Sequence, residues 1–149
     1  MRAFDSRATL LLAAVLLLSA CSTGASRTGT EASPRQIDLV MTDQMTFDPA
    51  RIEVRRGETI RFVVRNASNE EHEAYIGTEE EQRLHATVHA ALSSEEQTKT
   101  THMGYAVHVP AFGNGVMVAK FDEDLEYVIG CHYPGHYEAG MRAVIEVSV

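Results

Sequence analysis

The spacing of apolar and polar positions predicts a series of short β-strands from about residue 36 onward. Several segments alternate apolar with polar side chains or are rich in β-branched residues, and turn segments such as the one around Gly57 separate them. Short strands at this spacing are typical of a β-sandwich or barrel. The predicted strands cover residues 37–41, 51–54, 59–65, 72–76, 116–121, 125–130 and 142–149.

One segment between the strands has a helical composition. Residues 78–91 are rich in Glu, Gln, Leu and Ala, and Thr78 and Glu81 have the spacing of a capping box. We therefore predict one helix here, followed by a long connection over residues 92–114. With 149 residues, the chain has the length of a single domain, which we place at residues 36–149.

The N-terminal segment carries an export signal. Arg2 and Arg7 precede an apolar run over residues 10–18, which is too short to cross a bilayer comfortably. The sequence Leu-Ser-Ala-Cys ending at Cys21 resembles the lipobox of bacterial lipoproteins. This resemblance implies that residues 1–20 are removed, and that lipidated Cys21 anchors the chain to a membrane at the periplasmic or extracytoplasmic face of the cell envelope. The alternative is an ordinary secretory signal in which Cys21 is incidental. Residues 21–35 are small and polar, which predicts a flexible tether.

Net charge and cysteine content limit the partners and the cysteine chemistry that the chain can have. The formal net charge of −8 argues against a basic surface for nucleic acid, so no nucleic-acid partner is expected. The chain has two cysteines, and if Cys21 carries lipid then Cys131 has no partner for an internal disulfide. Three roles remain for Cys131: a disulfide to another protein, a buried inert thiol, or a metal thiolate.

The strongest motif follows the predicted strand at residues 125–130. Residues 131–141 read Cys-His-Tyr-Pro-Gly-His-Tyr-Glu-Ala-Gly-Met, so Cys131, His136 and Met141 lie in one loop. Such soft ligands favour copper, and two histidines, a cysteine and a weak axial methionine describe a mononuclear blue-copper site. The second histidine must come from elsewhere in the chain, and His72 is the candidate. The motif thus predicts one copper ion per chain.

The chain resembles the cupredoxins on these residues. Cys-x-x-Pro-Gly-His is similar to the azurin loop, and His-x-x-x-Gly-Met is similar to the loop of copper nitrite reductases. Residues 45–49 and 57–62 resemble the N-terminal strands of plastocyanin-like domains, and the resemblance extends over residues 37–149. It implies an all-β Greek-key sandwich and places His72 where these domains carry their first histidine ligand.

The resemblance also implies a function. It indicates a one-electron carrier in which His136 presents its ring edge at the surface, with Tyr133, Pro134 and Tyr137 as a docking rim for an unidentified redox partner. We expect a monomer without enzymatic activity, because copper nitrite reductases and multicopper oxidases build their catalytic centres between two or more such domains. A Cu(A) centre is not expected either, because it needs two thiolates and the predicted domain offers Cys131 alone. The main alternative is a copper sequestration or tolerance protein.

Three residues near the motif depart from the family or compete with the predicted ligands. Glu73 occupies a position where many cupredoxins have asparagine, which is expected to alter hydrogen bonds around the site. His132 neighbours Cys131, but on a strand its side chain points to the opposite face. Glu138 is a minor alternative to Met141 as axial ligand.

The remaining histidines have two interpretations each. His85 and His89 are four residues apart on the predicted helix, where we expect solvated side chains, with a second metal site as the alternative. Several imidazole and sulfur groups in and after the long connection have ordinary loop and core roles or form a copper-capturing segment. These are His102, Met103, His108 and Met117.

Overall fold

The computed structural model describes residues 28–92, 94–97 and 105–149, so the predicted signal segment, Cys21, His102 and Met103 lie outside it. The described part contains nine strands and two helices. None of its helices has the length and hydropathy needed to cross a membrane. The elements are β1 Arg35–Met41, β2 Phe47–Asp48, β3 Arg51–Arg55, β4 Glu58–Asn66, β5 His72–Gly77, α1 Glu79–Ala90, α2 Ser94–Gln97, β6 Tyr105–Val109, β7 Asn114–Phe121, β8 Glu126–Gly130 and β9 Arg142–Ser148.

The strands form two sheets that pack face to face. One sheet has the order β2-β1-β4-β7, and the other has the order β3-β9-β8-β5-β6. The pairs β1/β4 and β3/β9 are parallel, and the other neighbouring strands are antiparallel. This arrangement confirms the predicted all-β sandwich.

Alternating apolar side chains from both sheets meet in a single core. Ile60 and Phe62 of β4 are fully buried in one sheet, and Ile129 of β8 and Ile145 of β9 are fully buried in the other. Burial of each such side chain contributes roughly 1.5–3 kcal/mol. The core therefore fixes the strand ends between which the Cys131 to Met141 loop runs.

Strand β5 is buried on both faces, unlike the other strands. Ala74 and Ile76 point into the core, whereas Tyr75 points outward and stacks flat on His85 of α1, with ring centroids 3.9 Å apart. Helix α1 thus covers the outer face of the five-stranded sheet at β5. Neighbouring residues of β5 belong to two separate layers, one between the sheets and one beneath the helix.

Helix α1 begins at the predicted capping box. The Thr78 side chain accepts a hydrogen bond from the Glu81 N–H, and the Glu81 carboxylate accepts one from the Thr78 N–H. The buried face of the helix consists of Gln82, His85 and His89, whose i, i+3, i+7 spacing matches one helical stripe. A helix that buries a polar stripe requires polar partners on the sheet below it.

The long connection predicted over residues 92–114 is wrong, because it contains α2 and β6. Strand β6 pairs antiparallel with β5, and His108 lies opposite Glu73 in that register. Cross-strand partners point to the same face of a sheet, so this pairing brings His108 beneath α1. The local sequence does not indicate this pairing, because β5 and β6 are separated in the chain by α1 and α2.

The segment before β1 packs on the domain. The Gly29 N–H donates to the buried Glu58 carboxylate at 2.9 Å, and the Gly29 carbonyl accepts from the Thr59 N–H at 3.1 Å. The Arg35 guanidinium binds the same carboxylate at 2.7 Å, and the Arg55 N–H donates to it at 2.9 Å. These contacts attach Gly29 and Arg35, which lie within the predicted tether, to the buried Glu58.

Candidate metal centre

The loop between β8 and β9 folds back on itself so that its two ends meet. The Cys131 N–H donates to the Met141 carbonyl at 3.2 Å, and the Met141 N–H donates to the His136 carbonyl at 3.0 Å. Gly135 and Gly140 have φ values of 84° and 99°, a backbone region in which only glycine is free of steric penalty. These turns bring the three predicted ligands of the loop to one end of the sandwich.

Three donor atoms converge at this end. The Nδ1 atoms of His72 and His136 lie 3.2 Å apart, and the Cys131 Sγ lies 3.4 Å from the His136 Nδ1 and 3.9 Å from the His72 Nδ1. His72 arrives from the first position of β5, which runs beside the end of β8. Sequence positions 72, 131 and 136 thus meet at one point.

The backbone of Met141 is hydrogen-bonded to Cys131 and His136, two of these three residues. Its side chain is fully buried in the core, and the loop hydrogen bonds fix its backbone between Cys131 and His136. Glu138, the alternative axial ligand, is exposed. The two candidate axial ligands thus differ in burial, with the thioether inside the domain and the carboxylate at its surface.

The protonation chemistry of the donors suits a metal ion. Burial lowers the pKa of His72, with a further contribution from the neighbouring His136, so His72 is neutral at pH 7 and has a lone pair to donate. Burial raises the pKa of the Cys131 thiol to about 12, although the Glu73 and Tyr133 N–H groups act in the opposite direction. A bound metal ion replaces the thiol proton. Two imidazoles with one thiolate are donors that copper prefers, so the residues fit this ion.

A hydrogen-bonded support orients His72, and no sequence pattern indicates it. The His72 Nε2 lies 2.8 Å from the Ser68 Oγ, and the Asn66 Oδ1 accepts hydrogen bonds from the Ser68 N–H and hydroxyl at 2.9 Å. Asn66 in turn donates to the Glu70 carbonyl at 2.6 Å. With Nε2 as the donor to Ser68, Nδ1 is free to face the other ligands, which is the usual function of such a partner.

His136 is the predicted ligand nearest to solvent. Its side chain is 12% exposed, against 1% for His72, and its Nε2 lies 3.7 Å from the half-exposed Glu70 carboxylate. The proposed docking rim around it is only partly at the surface. Pro134 is exposed, but Tyr137 stacks on His132 with ring centroids 4.7 Å apart and donates to Glu79 at 3.2 Å.

His132 and Glu73 turn away from the three donors. His132 points to the helix side, where its Nε2 lies 2.6 Å from the Gln82 Oε1, as strand alternation predicts. Burial lowers the pKa of His132 to about 4. The Glu73 N–H lies 3.4 Å from the Cys131 Sγ, while its carboxylate points under α1, from where its negative charge adds to the rise in the pKa of Cys131.

The expectation that His85 and His89 are solvated is wrong. Their side chains are 2% and 1% exposed, because both lie on the face of α1 that packs against the sheet. His108 of β6 joins them around the Glu73 carboxylate. Met117 is a buried core residue, in agreement with the ordinary core role.

Comparisons with known proteins agree with this geometry. Residues 36–148 match the family described as copper binding proteins, plastocyanin/azurin family. The copper-resistant cuproprotein CopI of Rubrivivax gelatinosus is 39% identical over 113 residues, which cover 76% of this chain and 66% of that protein, slightly less than two thirds of its length. CopI of Pseudomonas aeruginosa is 28% identical, with 76% of each chain covered.

Solved structures of cupredoxins have the same fold. Auracyanin B superposes with a TM-score of 0.65 at 16% identity, over 83% of this chain and 96% of that one. Reduced auracyanin from Roseiflexus castenholzii gives 0.64 at 21% identity, over 76% and 97%. Because the family match spans most of the chain and the fold agrees, this protein belongs to the plastocyanin/azurin family of copper-binding proteins.

Proposed function

We propose that the protein holds one copper ion in a mononuclear type 1 site formed by His72, Cys131, His136 and Met141. The observation that carries this proposal is the convergence of the two histidine Nδ1 atoms and the Cys131 Sγ within 3.2–3.9 Å of one another. Copper bound there would supply a one-electron couple between Cu(I) and Cu(II).

We propose one-electron transfer as the leading role, without enzymatic activity. Two features of the protein support it. The ligands are held by a buried sandwich and by the Ser68 support of His72, so their positions need to change little when the charge of the site changes. His136 reaches the surface beside exposed Pro134, where an electron can pass to a partner that docks on this end.

The second candidate is copper tolerance. The relatives named as copper-resistant cuproproteins favour it, and the buried histidines beneath α1 favour it as well. A tolerance protein needs to bind copper tightly but needs no fast reaction with a redox partner. The two roles therefore differ in kinetics rather than in the ligands they require.

The lipobox-like sequence ending at Cys21 supports a location at the outer side of the cytoplasmic membrane or in the periplasm, with the chain anchored by lipid. An anchored monomer can meet soluble or membrane-bound partners within the envelope. Cys21→Ser would release the chain into the soluble envelope fraction if lipid is the anchor. Continued membrane association of that variant would contradict this part of the proposal.

One experiment separates electron transfer from tolerance. Cells that lack the protein are complemented with the wild type or with Met141→Leu, which retains the two histidines and the cysteine but alters the axial position. Electron self-exchange of the two purified proteins is measured in parallel. For a carrier, wild-type exchange is fast, and cells without the protein lose an envelope electron-transfer activity at ordinary copper levels. If exchange is slow and the only defect is growth at high copper, the tolerance role is the correct one.

A further inference from the structure

The structure contains a second group of metal-binding side chains beneath α1, which we call the helix-side cluster: Glu73, His85, His89 and His108. The exposed fractions of these side chains are 0%, 2%, 1% and 9%. They come from β5, α1 and β6, so three elements converge on one point. The cluster shares no side chain with the proposed type 1 site.

Distances within the helix-side cluster suit a single ion. The ligand atoms of Glu73, His89 and His108 all lie within 4.8 Å of one another. The Glu73 carboxylate is 3.5 Å from the His108 Nε2 and 3.9 Å from the His89 Nε2. Donors bound at about 2.0–2.2 Å to one ion lie roughly 3–4 Å apart, so these atoms need to move little to share one.

His85 holds the carboxylate rather than completing this trio. Its Nε2 lies 2.9 and 3.1 Å from the two oxygens of Glu73, and its ring is fixed flat against Tyr75. A carboxylate accepts hydrogen bonds, so this nitrogen is the donor. Such a partner is what orients a metal-binding carboxylate in many sites. The oxygens of Glu73 are thereby aimed toward His89 and His108.

The surroundings of the His108 side chain support a bound ion. Within the described residues, neither of its ring nitrogens has a hydrogen-bond partner, although the side chain is about nine-tenths buried. A buried polar group without a partner costs about 1–3 kcal/mol. An ion bound between His108 and Glu73 would satisfy the Nε2 and would also compensate the charge of a carboxylate that has no access to water.

We propose that Glu73, His89 and His108 bind a second metal ion, a divalent first-row transition ion, with His85 as the positioning residue for Glu73. Two imidazoles and one carboxylate without sulfur suit Zn(II) and Cu(II), and the order of stability among divalent ions places Cu(II) above Zn(II). With three protein donors, one coordination position of the ion remains open for a water molecule or another exchangeable ligand. The protein would then hold two ions per chain.

The two sites are close neighbours in the chain but separate in space. His72 and Glu73 are consecutive on β5, and alternation sends one side chain toward the core and the other under α1. The second site therefore rests on different side chains from the proposed type 1 site. The failure of either proposal leaves the other testable.

The test counts ions on the purified full chain after loading with Cu(II) and removal of loosely bound metal. We expect two copper ions per wild-type chain, one with intense thiolate absorption and one with the electron paramagnetic resonance spectrum of ordinary nitrogen-coordinated Cu(II). His108→Leu is expected to bind one ion with its thiolate absorption intact, which also reports that the variant is folded. His132→Asn is the matched control, because it removes a helix-side imidazole outside the trio, and it should retain two ions.

A second variant covers the case in which His108→Leu loses the fold. Glu73→Gln has the same shape without the charge, and it should weaken binding of the second ion at least a hundredfold. A parallel loading with Zn(II) after the type 1 site is filled with copper shows whether the cluster accepts either metal. If the wild-type chain binds a single copper ion and no zinc, the helix-side cluster does not bind metal and serves only to pack α1 against the sheet. Retention of the second ion by both variants would place that ion elsewhere.

If copper does not bind at the proposed type 1 site, thiolate absorption is absent from the wild type and from all of these variants. Cys131→Ser would then still bind an ion that is lost on adding His108→Leu.

Discussion

His72 and Glu73 are adjacent in the chain, yet they contribute to two different polar clusters on opposite faces of β5. The His72 Nδ1 lies 3.2 Å from the His136 Nδ1, whereas the Glu73 Oε1 lies 2.9 Å from the His85 Nε2. The peptide between them also links the clusters, because the Glu73 N–H points at the Cys131 Sγ at 3.4 Å. Strand alternation and the helix that covers this strand together produce both arrangements.

The Ser68 hydroxyl is expected to support copper binding through His72. Ser68→Ala removes the partner of the His72 Nε2, so the ring is less firmly oriented, and copper affinity should fall about 10–100-fold. Competition with a chelator measures this change. Ser148→Ala is the control, since the Ser148 hydroxyl donates to the Val54 carbonyl at 3.2 Å where β9 pairs with β3. Equal affinities for the two variants would contradict the support role.

Exposure predicts which histidine can be replaced by a free ligand. His136→Ala opens a gap near the surface, so imidazole added to the solution should restore thiolate absorption with copper. His72→Ala leaves its gap in the buried interior, and the same imidazole should restore much less. Absorption titrations of both variants test this difference. Equal rescue would show that the two ligands are equally accessible.

The N-terminal cap of α1, the helix that covers the helix-side cluster, is expected to stabilise the folded protein. Thr78→Ala removes both hydroxyl contacts of the capping box and should lower the free energy of unfolding by about 1 kcal/mol. The exposed Thr87 is a matched control in the same helix, where its hydroxyl donates to the Arg83 carbonyl at 3.0 Å. Thr87→Ala should change stability little, because alanine favours helix. Denaturant unfolding of the metal-free proteins compares them, and identical losses would rule out a specific effect of the cap.

Glu58 gives the fold a dependence on acid. Burial alone would raise its pKa, but hydrogen bonds from Arg35 and from the Gly29 and Arg55 N–H groups outweigh burial and lower the pKa to about 2. A lowered carboxyl pKa stabilises the fold at pH values above the unfolded pKa of 4.5, and this contribution is lost as the pH falls toward 2.

Glu58→Gln should therefore cost roughly 2–3 kcal/mol of unfolding free energy at pH 7 and much less near pH 2. Denaturant titrations of both proteins across this range measure the difference. Glu53→Gln provides the control, because Glu53 is an exposed carboxylate on β3 and its substitution should change the unfolding free energy little. A constant gap between Glu58→Gln and wild type at all pH values would be the contrary result.

The sequence was most informative where local pattern determines structure. Alternation located seven strands close to their observed bounds, and the Thr78 and Glu81 pair located the start of α1. The motif over residues 131–141 identified a loop in which the donor atoms of Cys131 and His136 lie close together. Each of these features depends on residues that are near one another in the chain. The family resemblance supplied His72, which local pattern alone does not select.

The helix-side cluster could not be predicted in this way. His85 and His89 resemble solvated residues because a buried helix stripe is ordinarily apolar, whereas Leu84 on the other face is 49% exposed. Their burial depends on Glu73 and on the pairing of β6 with β5, contacts that join distant parts of the chain. Ser68 was missed for a similar reason, since only the turn before β5 brings its hydroxyl to His72.

The most direct test of the type 1 copper centre is the visible absorption spectrum of the purified full chain after addition of one equivalent of Cu(II), beside Cys131→Ser. Because the Cys131 Sγ lies 3.4 and 3.9 Å from the two histidine nitrogens, we predict intense thiolate-to-copper absorption in the wild type and none in the variant. Weak absorption that the substitution leaves unchanged would contradict this account and would assign copper binding to histidines alone.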